Sequence, residues 1–146
     1  MTMRAEEPQR EDLPTFSSLV GEVMATAERF GHREHVHLTW LAVSRCGVDT
    51  AIELVSAGIQ NTARSAGMPQ KYHETMTRAW VVLVGHASTE SSTDDFTEFV
   101  ARHPELLDTR LLMRHYHPST LASAEARLGW VEPDLAPLEP AVSASS

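Results

Sequence analysis

Apolar residues recur through most of this chain at steps of three and four, and glycine or proline breaks the recurrence where each run ends. Phe16, Leu19, Val20, Val23, Ala27 and Phe30 form the first such stripe, which closes at Gly31. A period near 3.6 residues is that of a helix with one buried face. The same reading predicts a second helix from His32 to Cys46, stopped at Gly47 by a residue that tolerates left-handed backbone angles. Thr50 with Glu53 is a capping-box pair that opens a third, whose Ile52, Val55, Ile59, Ala63 and Ala66 face inward until Gly67-Met68-Pro69 ends it. A fourth helix, over Gln70 to Ala87, carries Tyr72, Met76, Ala79, Trp80 and Leu83, an apolar surface broad enough for a central position. Ser88 to Thr93 is a polar loop, and Asp94 and Asp95 place negative charge at the start of a short helix that stops before Pro104. Shorter helical pieces follow around Leu106, Leu107, Leu111 and Leu112 and after Pro118. No stretch alternates apolar and polar residues as a half-buried strand does. The expectation is an all-α fold: a compact single-domain bundle of about four main helices plus short C-terminal helices. That domain covers residues 13–132, between a flexible N-terminus, 1–12, and a disordered Pro/Ala/Ser-rich tail, 133–146.

Charge and composition narrow the function. With 20 acidic against 12 basic residues the formal charge is -8, and the only lysine is Lys71. A phosphate backbone needs clustered cations, so the chain predicts no nucleic-acid partner. The longest apolar run, Ala79 to Val84, falls far short of the roughly 20 residues of a membrane span, and the opening Met1 to Asp12 is too polar for a signal peptide. A cytoplasmic protein without a membrane partner is expected. One cysteine, Cys46, excludes an internal disulfide and a multi-cysteine zinc cluster. It also lies at a helix C-terminus, where the dipole opposes a thiolate. Histidine and carboxylate remain as metal ligands.

The eight histidines separate by position. At roughly 100° per residue, His32 and His35 share a helical face with Val36, Thr39 and Val43, whereas His37 groups with Arg33 and looks solvated. His73 opens the fourth helix on the side of Thr77, Trp80 and Val84, and in an antiparallel bundle that side comes opposite the second helix. Three imidazoles on two rigid helices suit Cu, Fe or Zn and leave coordination positions open. The competing reading is structural: His32 at a helix end, His35 as a satisfied core residue, His73 donating to a neighbouring carbonyl. In His115-Tyr116-His117 at most one ring, His115, joins as a further ligand; otherwise both are solvated or cap the chain. His86 and His103 sit near helix C-termini, where partial positive charge is favourable.

Glu74 is the better-placed carboxylate, as a general base or ligand, and Tyr72 can orient a ligand or donate a proton. Solvation and core packing are their respective alternatives. Glu34 is turned away from the histidine face. Trp40 and Trp80 are candidates to wall the pocket, with plain core packing as the other reading.

Phe30-Gly31-His32-Arg33-Glu34-His35 through Trp40, Lys71-Tyr72-His73-Glu74-Thr75 through Trp80, and Leu121-Ala122-Ser123 through Trp130-Val131-Glu132-Pro133-Asp134 resemble a small uncharacterised bacterial family of all-helical proteins, over about residues 30 to 135. Its pattern is a phenylalanine, two histidines three apart and a tryptophan, followed by a tyrosine-histidine-glutamate element and a second tryptophan. His32, His35 and His73 match it; His37 and His117 do not. The resemblance implies no reaction. In architecture, three histidines on a bundle are also similar to the DinB-like metal proteins, although the late histidine pair spaced by three residues is missing here. The leading expectation is a metal-dependent enzyme acting on a small molecule, with oxidation favoured over hydrolysis because no carboxylate base is convincingly placed. The alternative is a non-catalytic helical interaction or regulatory module whose histidines are structural, with a homodimer as a candidate assembly.

Overall fold

A computed structural model describes residues 14–138. Among the described residues all regular structure is helical: α1 is Phe16–Met24, α2 His32–Ser65, α3 Glu74–Glu90, α4 Phe96–Arg102, α5 Pro118–Leu121 and α6 Ala124–Leu128. Single 3₁₀ turns lie at Pro69–Lys71, Pro104–Leu107 and Leu111–Arg114. The all-α class expected from the spacing is the observed one.

The long α2 contains both helices expected on either side of Gly47. That residue takes φ 84° and ψ 165°, a region open essentially to glycine alone, and it divides α2 into two arms. The second arm resumes directly after Gly47 rather than at Thr50. At the start of α2, Gly31 has no side chain to cap the helix, and Glu34 reaches back to accept its backbone N–H at 2.9 Å. This capping bond engages the Glu34 carboxylate at the helix start.

Helix α1 is shorter than its stripe suggested. After Met24 the chain tightens through successive i→i−3 bonds from Ala25, Thr26 and Ala27, so that it can turn back into α2. Phe30 is thereby left 41 % exposed instead of in the core. The start of α3 also shifts. Pro69 sets a separate turn, Tyr72 and His73 are extended, and the helix begins at Glu74 and continues to Glu90, three residues into the expected loop.

Helix α3 packs chiefly against α2. At Gly85 a Cβ would stand 2.5 Å from Cγ2 of Val48, so the two backbones approach as closely as they do because no side chain intervenes. Val36, Leu38, Val55, Val81 and Val84 form this core, with Leu19 and Val23 of α1 at one side. Trp40 stacks on Phe99 and packs beside Phe96 of α4.

From His103 onward the chain wraps the bundle in short turns, burying Leu106, Leu112, Tyr116 and Leu121. Residues 133–138 correct the expected domain boundary, because they form an anchored strap instead of a disordered tail. Leu135 donates its N–H to the His115 carbonyl, and Leu138 is buried. Asp134 accepts from the His117 N–H at 3.0 Å and from the Thr120 hydroxyl at 2.5 Å. The sequence-stripe argument missed these anchors because they are side-chain-to-backbone bonds, which have no periodicity. The expectations for residues 1–12 and 139–146 lie outside the described residues. No helix among the described residues is long and apolar enough to cross a membrane.

Candidate functional site

The turn into α2, the start of α3 and the second arm of α2 enclose one open pocket of about 530 Å³. His32, His35 and His73 all line it, with Tyr72 and Trp80. Folding therefore brings together five of the residues singled out from the sequence. The remaining walls include Phe30, Ile59 and Lys71.

Each histidine is held differently. His32 donates from Nε2 to the Leu106 carbonyl at 2.9 Å and lies edge-on to Trp80, with ring centroids 4.8 Å apart. Its Nδ1 makes no hydrogen bond among the described residues. His73 is buried and caps α3: its Nδ1 accepts the Met76 N–H at 3.1 Å, and its Nε2 meets the Leu121 carbonyl at 2.7 Å. Those two bonds fix the neutral tautomer, with the proton on Nε2 and the lone pair on Nδ1. His35 makes no ring hydrogen bond among the described residues. Neither of its nitrogens is among the sealed, unpaired polar atoms of the interior, so the ring is reachable from the pocket. Burial, and then the neighbouring His32, hold its pKa down to about 4, and the ring is neutral at physiological pH.

The phenol of Tyr72 donates to Oε1 of Glu74 at 2.5 Å. Burial first, and then this carboxylate, push the Tyr72 pKa up to about 12, so it remains a proton donor in the pocket wall. Glu74 does not line the pocket; its carboxylate is engaged by Tyr72.

Two expected members lie elsewhere. Trp40 follows His35 by five residues, a rotation of roughly 140° from it, and this turns the indole to Phe96 and Phe99. His115 pairs through Nδ1 with the Ala136 carbonyl at 3.1 Å, on the C-terminal strap. His37 also departs from expectation: instead of being solvated it stacks on Phe96 at 4.1 Å, with Arg33 over the same ring. His103 is buried against the Ser91 hydroxyl at 2.8 Å.

Sequence reasoning missed the backbone carbonyls of Leu106 and Leu121, for which a carbonyl in an irregular turn leaves no residue signature. It also missed Lys71, although its position immediately before Tyr72 and His73 was available as a signal. Among the described residues no set of three or more His, Cys, Asp or Glu side chains is already arranged around a point that would hold a metal ion. Comparisons with protein-family models, with curated proteins and with solved structures find no match.

Proposed function

We propose that the chain is a small metal-dependent enzyme in which His32, His35 and His73 hold one transition metal, Cu, Fe or Zn, and act on a small molecule. The observation that carries this reading is the shared hydrogen-bond pattern of His32 and His73. Each directs Nε2–H at a backbone carbonyl and keeps Nδ1 as the lone-pair nitrogen. Metal-binding imidazoles are commonly held this way, because the carbonyl fixes the ring and raises the basicity of the other nitrogen. His35, neutral and without a ring partner among the described residues, supplies a third lone pair.

Binding requires His73 to release the Met76 N–H. Losing such a cap costs about 1 kcal/mol, a cost that coordination of the freed Nδ1 has to exceed. Three imidazoles leave open positions for a substrate and for dioxygen as the oxidant. Oxidation is favoured over hydrolysis because the candidate carboxylate, Glu74, is bound to the Tyr72 phenol and does not line the pocket, and Glu34 is engaged by the Gly31 N–H. Tyr72 is then the proton donor beside the site, and Glu74 positions it.

Cobalt(II) titration followed by visible absorption tests the ligand set. Ligand-field bands that saturate at one equivalent and are lost in His32→Ala, His35→Ala and His73→Ala are expected. Bands that persist in all three variants, or never form, overturn the reading in favour of structural histidines.

A further inference from the structure

A second cavity, about 610 Å³, runs between α1 and the two arms of α2 and shares Phe30, His35 and Ile59 with the histidine pocket. Its other walls are Phe16, Val20, Met24, Leu38 and Thr62. None of these lining residues is charged. The volume lies within the range of about 300–1,000 Å³ typical of small-molecule sites. Phe30, 41 % exposed and edge-on to His35 with centroids 6.4 Å apart, stands on the wall between the two cavities.

We propose that this groove holds the hydrocarbon part of the substrate, so that the substrate is a small molecule with an apolar tail between α1 and α2 and a polar head in the histidine pocket. The inference rests on the function proposed above and names its substrate class. Continuity through His35 supports it: one ring borders the apolar groove and also lines the pocket that takes the head. The chain's own N-terminus is a poor occupant, because Arg4, Glu6, Glu7, Arg10, Glu11 and Asp12 would bring charge to an uncharged lining.

Isothermal titration of metal-free, full-length protein with straight-chain 1-alkanols, from 1-butanol to 1-nonanol, tests the groove apart from the metal. Affinity is expected to rise about fourfold per methylene, the effect of burying one CH₂, until the groove is filled. Thr62 is exposed on the groove rim. Thr62→Trp should weaken 1-nonanol by about tenfold relative to 1-butanol, the equivalent of losing roughly two buried methylenes. Asp134→Asn, on the C-terminal strap and lining neither cavity, should leave the series unchanged. A flat chain-length series in the wild-type protein overturns the proposal whatever the variants do, as does Thr62→Trp binding 1-nonanol like the wild type. A rising series in a protein that binds no metal would retain the groove and remove the metal reading; a flat series in a metal-binding protein would do the reverse.

Discussion

The α2–α3 pair and the C-terminal segment that wraps it are held by different forces. The pair is joined by apolar packing, with Val36, Leu38, Val55, Val81 and Val84 at most 1 % exposed and the backbones drawn together at Gly85. The segment from His103 to Leu138 buries leucines too, but its path is fixed by polar pins. The Leu106 and Leu121 carbonyls are tied to His32 and His73, the Gly129 carbonyl and Val131 N–H to the Thr75 hydroxyl, and the Val131 carbonyl to the Tyr116 phenol. Packing of the first kind is non-directional and tolerates small shifts; hydrogen bonds of the second kind set ring orientation and tautomer. His32 and His73 belong to both regions at once. The bonds that hold the C-terminal segment in place also orient the two imidazoles at the pocket.

Substitutions that separate the two regions test this contrast. Leu38→Ala, in the fully buried core, should lower global stability by about 2–5 kcal/mol in urea denaturation, the usual cost of emptying a buried leucine site. Thr75→Val keeps the shape and removes both hydroxyl bonds, leaving the Gly129 carbonyl and Val131 N–H unpaired. A loss of about 1–3 kcal/mol is expected, with hydrogen exchange accelerated near residues 129–131 and unchanged in α2. Equal acceleration in both regions would break the distinction. His73→Asn retains an N-cap acceptor but gives up the Leu121 bond, so helix content should be kept, stability should fall by about 1 kcal/mol and metal binding should be lost.

A pH series sharpens the comparison further. In the metal-free protein His35 has a folded pKa near 4, below its unfolded value of about 6.5. The neutral ring therefore contributes stability that is fully present above about pH 6.5 and lost as the pH falls toward 4. His35→Leu should flatten the urea midpoint across that window; a wild-type midpoint already flat there would contradict the buried, neutral assignment. The smallest effect is expected at Asp134, whose carboxyl is held down to about 2, first by the Thr120 hydroxyl and then by the His117 N–H. Asp134→Asn should loosen amides near residues 117 and 134 with little change in global stability.

Much of this organisation was readable from residue spacing. The stripes located α1 to α3, Gly47 marked the break in α2, and the i, i+3 relation put His32 and His35 on one face. His73, Tyr72 and Trp80 reached the same pocket, but not through the antiparallel pairing expected: the first arm of α2 runs in the same direction as α3, with His32 beside Trp80 and Val43 beside Gly85, so the two helix starts meet. Trp40 packs in the core, the other reading given for it, because a rotation of roughly 140° separates it from His35. The strap, the acceptor carbonyls and the shared wall between pocket and groove were not readable, since each depends on where an irregular backbone passes in space.

Metal content of protein purified without a histidine tag tests the central claim most directly. The account predicts close to one equivalent of Cu, Fe or Zn in the wild-type protein and its loss in His35→Ala and His73→Ala with the fold retained. Substoichiometric metal that is unaffected by either substitution would contradict it.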